Sequence, residues 1–522
     1  MRQTRWRLLA ASLAMILAAM PAIAQAPELA AVSATMTVRA DQPGPKVDRQ
    51  VFGQFAEHLG HGIYEGVWVG RNSKIPNVNG YRRDVLEALK AINVPVIRWP
   101  GGCFADEYHW REGVGPAAKR PVKINTHWGG VTEPNSFGTH EFMNYSELVG
   151  AEAYVSGNVG NAPPRELAEW VEYITSPAGS LADERAKNGR KQPWALPYVG
   201  IGNELWGCGG NMRADYAADV TKRYATFVKV PAGTHTLKFA SGANSDDYQW
   251  TETLVREASR QIDGLTLHYY TFPGSWEHKG PATGFDEAAW AGTLANTLRM
   301  EELISKHAAI MDKYDPGKRL WLVVDEWGTW YDPDPGTNPG FLRQQNSLRD
   351  ALVAAINFNI FVKHADRVKM TAIAQMVNVL QAMILTDGAK MVRTPTYWVF
   401  DLYKPYQDAT SLPITLTSPW YNKDQYVMPA VSASAVRDTG GKVHVSLANL
   451  DPGKPATVTA ALSGVTASAV TGRIITAPAI DSINSFERPD TVVPRAFSAA
   501  QLNGGTLTVT LPPRSVVMLD LN

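Results

Sequence analysis

"LPYVGIGNELWG", residues 196–207, holds a short apolar run: Leu196, Tyr198, Val199 and Ile201, slimmed by Gly200 and Gly202. Asn203 and Glu204 arrive where the run stops. A short apolar run bounded in this way reads as a buried strand with a polar end. A carboxylate against an apolar wall is costly to ionise unless a neighbour offsets the cost. Glu204 therefore needs a physical reason to be there.

Outward from this stretch the same unit recurs: an apolar run, a polar end, then a helical pattern. The runs are 51–57 (VFGQFAE), 94–102 (VPVIRWPGG), 151–158 (AEAYVSGN), 196–204 (LPYVGIGNE), 236–244 (TLKFASGAN), 262–270 (IDGLTLHYY), 320–326 (LWLVVDE) and 368–375 (VKMTAIAQ). Between them "YRRDVLEALKAI" (81–92) places Val85, Leu89 and Ile92 on one helical face. "PRELAEWVEYI" (164–174) opens with the proline that suits a first turn. Residues 294–314 and 348–367 are long enough to cover a strand. Alternating strands and helices imply a parallel sheet with right-handed crossovers, and eight units predict a closed (β/α)₈ TIM barrel. An open doubly wound sheet is the competing fold, but no glycine-rich phosphate loop follows the first run. In a barrel the active site forms at the C-terminal strand ends. Those ends carry Glu57, Arg98, Asn158, Asn203 with Glu204, Asn244, His268 with Tyr270, Glu326 and Gln375.

The rest of the 522 residues is organised around that barrel. Lys+Arg and Asp+Glu balance at 50 each, so no basic excess points to nucleic acid or an anionic membrane surface. "MRQTRW", the apolar run 8–20 and the small residues before Ala24 and Ala26 read as a secretory signal peptide, predicting an exported protein, periplasmic or secreted. After about residue 400 the helical period fades. "KVHVSLANL" (442–450), "TLTVTLPP" (506–513) and "SVVMLDL" (515–521) alternate as strands of an all-β sandwich, and "ATMTVRA" (34–40) has the same character. The expected organisation is 1–26 signal peptide, 27–45 an N-terminal strand joining the sandwich, 46–395 the catalytic barrel and 396–522 the C-terminal sandwich.

Glu204 ends the fourth run and Glu326 the seventh, so they can face each other across the barrel mouth. Glycoside hydrolysis needs such a pair, one acid and one nucleophile or base. "GNELWG" (202–207) and "VVDEWGTWY" (323–331) resemble the acid/base and nucleophile motifs of clan A retaining glycosidases. With "FGQFAEHLGHGIYEGVWVG" (52–70), "VIRWPGGCFADEYHW" (96–110), "EPNSFGTHEFM" (133–143), "HADRVKMTAIAQMVNV" (364–379) and "YWVFDLYKPY" (397–406), the chain resembles glycoside hydrolase family 51, the α-L-arabinofuranosidases. The resemblance implies a jelly-roll-like sandwich beside the barrel and retention of configuration without metal or cofactor. It implies that Glu204 is the acid/base and Glu326 the nucleophile. Glu57, Asn203 and Gln375 would bind arabinose hydroxyls. Arg98 would lie against the nucleophile and favour its charged form, Tyr270 would hydrogen-bond it, His268 would sit near the acid/base, and Trp330 would shape the entrance. The implied partner is an arabinofuranosyl-containing poly- or oligosaccharide, such as arabinoxylan or arabinan. Homo-oligomers are compatible with the resemblance. An endo-glucanase or xylosidase of the same clan, and a non-catalytic carbohydrate-binding protein, are the rival readings.

Many members of that family carry "PGGN" where this chain has "PGGC", so Cys103 replaces a sugar-binding asparagine and cannot offer an amide's donors and acceptor. The other cysteine, Cys208, follows Glu204 by four residues. Both lie past strand ends on one face of the barrel, which predicts a Cys103–Cys208 disulfide in an exported protein; two free thiols are the alternative. "EHLGH" (57–61) holds two histidines three apart, but no third metal ligand is evident.

Overall fold

The computed structural model describes residues 31–522. The segment read as a signal peptide lies outside the described residues. All eight expected strands form: Gly53–Phe55, Val96–Trp99, Glu152–Gly157, Tyr198–Ile201, Leu237–Asn244, Gly264–Thr271, Trp321–Thr329 and Val368–Ile373. They pair in chain order and in parallel, and Val368–Ile373 closes the ring against Gly53–Phe55. The fold is the TIM barrel expected from the sequence.

The barrel closes over a filled interior. Val96, Tyr154, Tyr198, Phe239, Val323 and Met370 come from six different strands yet form one buried cluster, which only the inside of a ring allows. Helices cover the outside for the reason the sequence suggests. In Arg83–Ala91 the side chains of Val85, Leu86, Ala88 and Leu89 are buried on one face. Leu348–Lys363 is apolar nearly all round and almost wholly buried, as fits a helix covered on both sides. Its N-terminus is closed by Ser347, whose hydroxyl accepts from the Arg349 amide, while the Asp350 carboxylate accepts from the Ser347 amide at 2.7 Å. From its other side the Asn359 amide donates to Ser432 of the sandwich at 3.0 Å, which ties the two layers together.

The sandwich has a five-stranded and a six-stranded sheet. Val32–Arg39 lies inside the five-stranded sheet, antiparallel to Ile414–Thr417 and parallel to Ala456–Ser463. Among the described residues no helix is long and apolar enough to cross a membrane.

Candidate active site

The mouth of the barrel opens into a cleft of about 830 Å³ whose walls include Trp128, Glu204, Trp206, Tyr270, Trp276 and Trp330. Glu204 does not sit in its strand. The strand ends at Ile201, and the chain turns sharply so that Glu204 takes a left-handed φ of 45°, a conformation that a non-glycine residue holds only when its surroundings enforce it. Asp106 supplies that enforcement. Its buried carboxylate accepts from the Asn203 amide at 2.7 Å and from the Val159 and Gly160 amides at 2.6 and 2.9 Å. Burial pushes the Asp106 carboxyl up to about 7 although those three donors pull the other way.

Glu326 is buried in the seventh strand. Arg98 Nη1 donates to its Oε1 at 2.7 Å and the Tyr270 hydroxyl to its Oε2 at 2.7 Å. The same guanidinium donates to Asn203 Oδ1 at 2.5 Å and Ser156 Oγ at 3.2 Å, lies 3.2 Å from Asp325 Oδ2, and rests its plane 4.4 Å from the centre of the Phe55 ring. One arginine therefore fixes parts of the second, third, fourth and seventh strands together. His268 completes the set. Its Nδ1 is 2.8 Å from Glu204 Oε1 and 3.6 Å from Glu326 Oε2, and its Nε2 is 3.1 Å from Asp325 Oδ1. Tyr154 donates to the other Asp325 oxygen at 2.9 Å.

Ligating atoms of Glu204, His268 and Glu326 lie within 4.8 Å of one another. At an effective dielectric of about 20, two full negative charges 4.8 Å apart repel by about 3.5 kcal/mol, and closer ones by more. Burial raises the Glu204 carboxyl, Glu326 adds to the rise, and His268 and Arg98 oppose it. Burial alone would depress His268, but the charge of Glu326 and the bonds to Asp325 and Glu204 win and lift it to about 10. Asp325 goes the other way: burial is outweighed by Arg98, His268 and Tyr154, which hold it below the usual carboxylate range. The site thus balances buried carboxyls against the buried charges of Arg98 and His268, and burial shifts Glu204 toward its protonated form.

Glu57 lies two residues past the first strand. Its Oε1 accepts from the Gly102 and Phe104 amides at 3.0 and 3.2 Å and from Trp128 Nε1 at 2.9 Å, and its Oε2 from Gln375 Nε2 at 2.9 Å. Burial, with a smaller push from Glu326, lifts it to about 7. Gln375 Oε1 is buried with no partner. Trp330 packs edge-on against Tyr270 at 4.9 Å and meets Trp276 at 5.1 Å, with Lys279 4.3 Å over the Trp276 ring. Close approach explains the "PGG" turn. A Cβ on Gly101 would stand 2.7 Å from Glu57 Cγ, and one on Gly102 would stand 2.9 Å from Glu326 Oε1.

The structure joins Cys103 to Cys208, and both line the cleft. Cys208 Sγ lies 3.5 Å from Glu204 Oε2. Asn244 also lines the cleft, but Asn158 does not serve it: its amide donates to Tyr108 O and Asn161, and its carbonyl accepts from the Asn161 and Ala162 amides. The two histidines of "EHLGH" part company. His58 is held between Glu133 and Trp99, and the half-exposed His61 pairs with Glu65. Asp106, Trp128, Tyr154, Ser156, Trp206, Trp276 and Asp325 are site residues that the sequence reading missed.

Two family models match the chain: an α-L-arabinofuranosidase 1 domain over residues 88–279 and an α-L-arabinofuranosidase C-terminal domain over residues 325–515. An intracellular exo-α-L-arabinofuranosidase of Bacteroides ovatus is 51% identical over 94% of this chain and 96% of that one. An intracellular exo-α-(1→5)-L-arabinofuranosidase of Streptomyces lividans is 29% identical, covering 90% of this chain and 72% of that one. A crystal structure of a glycoside hydrolase family 51 arabinofuranosidase from Xanthomonas axonopodis pv. citri superposes with a TM-score of 0.94 at 62% identity, covering 94% of this chain and all of that one. The expectation of an exported protein is overturned by this comparison, because the relatives from Bacteroides and Streptomyces are named as intracellular enzymes. A basic, then apolar, start is a compositional signal only.

Proposed function

The chain belongs to the α-L-arabinofuranosidases of glycoside hydrolase family 51, and we propose that Glu326 and Glu204 carry its reaction by double displacement with retention. It is an exo-acting glycoside hydrolase that removes terminal arabinofuranose. The observation that carries the mechanism is the separation of the two carboxyls, with oxygens within 4.8 Å. Retaining enzymes hold the pair about 5–5.5 Å apart, whereas inverting enzymes need about 6.5–9.5 Å to seat a water between them.

In the first step a Glu326 oxygen attacks the anomeric carbon. Glu204 gives its proton to the glycosidic oxygen, and the alcohol departs with the bonding pair. In the second step Glu204, now a carboxylate, takes a proton from water. The oxygen of that water attacks the same carbon and Glu326 leaves with its electron pair. Arg98 and Tyr270 hold the two Glu326 oxygens in place through both steps. Glu57 and Asn203 line the sugar's polar edge, and the unpartnered Gln375 Oε1 accepts from a hydroxyl there. With a disulfide sulfur at position 103, Glu57 and Gln375 take over recognition on that side. Trp330 and Trp276 wall the entrance against the apolar face of the departing chain. An enzyme inside the cell meets arabinose-bearing oligosaccharides small enough to be imported, so these rather than intact arabinoxylan or arabinan are its substrates.

Proton NMR of the product first formed from an aryl α-L-arabinofuranoside tests the mechanism. The α-anomer is expected, and an initial β-anomer refutes double displacement.

A further inference from the structure

The sulfur pair at the rim shares its surroundings with Glu204. Ligating atoms of Cys103, Glu204 and Cys208 lie within 4.8 Å of one another, and all three residues are half-buried in the wall of the open cleft. The two oxygens of Glu204 have separate duties. Oε1 faces His268 at 2.8 Å, while Oε2 faces Cys208 Sγ at 3.5 Å. A ligand on the sulfur side can therefore take Oε2 and leave the His268 contact intact. The other triad that includes Glu204, with His268 and Glu326, is less suited to a cation, because Arg98 and Tyr270 already bind both Glu326 oxygens.

We propose that reduction of the Cys103–Cys208 bond turns this rim into a site for a thiophilic divalent cation of the zinc class, which takes Glu204 Oε2 as its third ligand and stops hydrolysis. While the bond is intact neither sulfur is a thiolate, and the site is closed. The opening step is an ordinary exchange with a dithiol reductant. Its thiolate attacks one protein sulfur, its second thiol resolves the mixed disulfide, and two electrons pass to the protein sulfurs as the reductant becomes a disulfide. The cation then displaces both thiol protons, and the carboxylate donates a lone pair. Two thiolates, a carboxylate and one open position are a donor set that zinc accepts in tetrahedral geometry. With Zn–S bonds of about 2.3 Å the sulfurs must stand about 3.8 Å apart. Side-chain rotation over a Cα–Cα distance of 5.5 Å can supply that spacing. Compartment makes the switch relevant: the relatives are named as intracellular, and intracellular thiols are kept reduced.

The inhibitory half rests on the role proposed for Glu204; the binding half does not. The test uses the full chain, oxidised or reduced, with the reductant removed under anaerobic conditions. Each form is dialysed against zinc ion alone, and bound metal and arabinofuranosidase activity are measured on the same samples. One zinc per reduced chain and none per oxidised chain is expected, with activity lost only in the zinc-loaded reduced form and restored by a chelator. Reduced Cys208→Ser should fail to retain zinc. Reduced Glu204→Gln should bind it at least about 10-fold more weakly, since even loss of an outer-shell partner costs that much. Equal zinc in both redox forms, no zinc in the reduced form, or full affinity in Glu204→Gln overturns the site. Stoichiometric zinc held by the three residues in an enzyme that still turns over leaves the site standing and overturns its inhibitory role together with the acid/base role of Glu204.

Discussion

Gly102→Ala tests whether the position of Glu326 is set by the backbone opposite it. A Cβ on Gly102 would stand 2.9 Å from Glu326 Oε1, where ordinary contact begins at 3.4 Å, so the carboxyl must retreat by 3.4 − 2.9, or 0.5 Å. It has little freedom to do so, because Arg98 holds Oε1 at 2.7 Å and Tyr270 holds Oε2 at 2.7 Å. The Cβ also has Phe55 at 3.4 Å and Asn203 Nδ2 at 3.5 Å, so the backbone cannot swing away cheaply. The φ of Gly102 is −85°, outside the left-handed region. A misplacement of about 1 Å costs roughly 100-fold in rate. Half that distance scales to about 10-fold in kcat/KM, or about 1.4 kcal/mol of transition-state stabilisation. The loss should fall chiefly on kcat, because the added carbon crowds Glu326 at 2.9 Å but meets Asn203 only at the ordinary contact distance of 3.5 Å. Steady-state kinetics on an aryl arabinofuranoside, with a thermal melt to show the fold is unchanged, measures it. Gly317→Ala, with nothing within 4 Å of the added carbon, is the control. A Gly102→Ala enzyme within twofold of the parent kcat would refute the reasoning.

Removal of the carboxyls should separate their roles. Glu326→Ala should lose nearly all activity on every substrate, whereas Glu204→Ala should suffer far more on poor leaving groups than on good aryl ones, with azide restoring turnover; equal losses on all substrates would contradict the assignment. The disulfide spans 105 residues, and opening a loop of that size should lower stability by about 4.7 kcal/mol. A denaturant midpoint that does not move on reduction would remove that account. In the sandwich, His444 lies between Asp520 and Asp438 at 2.7 and 3.0 Å. Burial opposes its charge, but the two aspartates win and raise it, while their own values are lowered chiefly through His444, against burial. A raised histidine stabilises below its ordinary value of 6.5 and loses that contribution as pH rises through its folded value. Lowered aspartates stabilise above 3.8 and lose it as pH falls. The melting deficit of His444→Gln should therefore be largest between those two values and shrink in alkali; a deficit independent of pH would exclude the cluster.

The barrel was legible because each strand is a short apolar run and each connection a helix, a pattern that side-chain period and length suffice to read. The carboxylate pair was legible for the same reason, since polar residues at strand ends stand out against apolar runs. Asp325 was not. Strict alternation puts the neighbour of Glu326 on the opposite face, yet Asp325 reaches Arg98, His268 and Tyr154. Pairing irregularities between Thr266 and His268, and between Val324 and Trp327, re-aim the seventh strand at this point. Asp106 and Trp128 come from the stretch 100–138, which has no period for a sequence reading to use. Asn158 errs in the other direction: it ends a strand, but its hydrogen bonds close a turn. Polarity at a strand end marks a place where something must be satisfied, and only the fold shows whether loop or substrate does it.

The position of Glu204 follows from the same accounting. On the mechanism proposed above, Glu204 releases and regains a proton in every cycle, which a guanidinium like the one Arg98 places on Glu326 would oppose. Nor can Glu204 be left free, since buried carboxyls so close together repel. The left-handed turn after Ile201 brings Glu204 Oε1 to 2.8 Å from the ring of His268, whose charged form the surrounding carboxylates favour. That ring is anchored from behind by Asp325, whose other oxygen is held by Tyr154. The anchor lets the contact persist whether Glu204 is protonated or not, because the imidazole need not move. The two neighbouring acids thus have different partners: Glu326 is held by Arg98 and Tyr270, and Asp325 holds the histidine that contacts Glu204. This is why the run "GIGNE" ends in a turn pinned by a distant aspartate: the strand brings the chain to the mouth, and the turn aims a single side chain at His268.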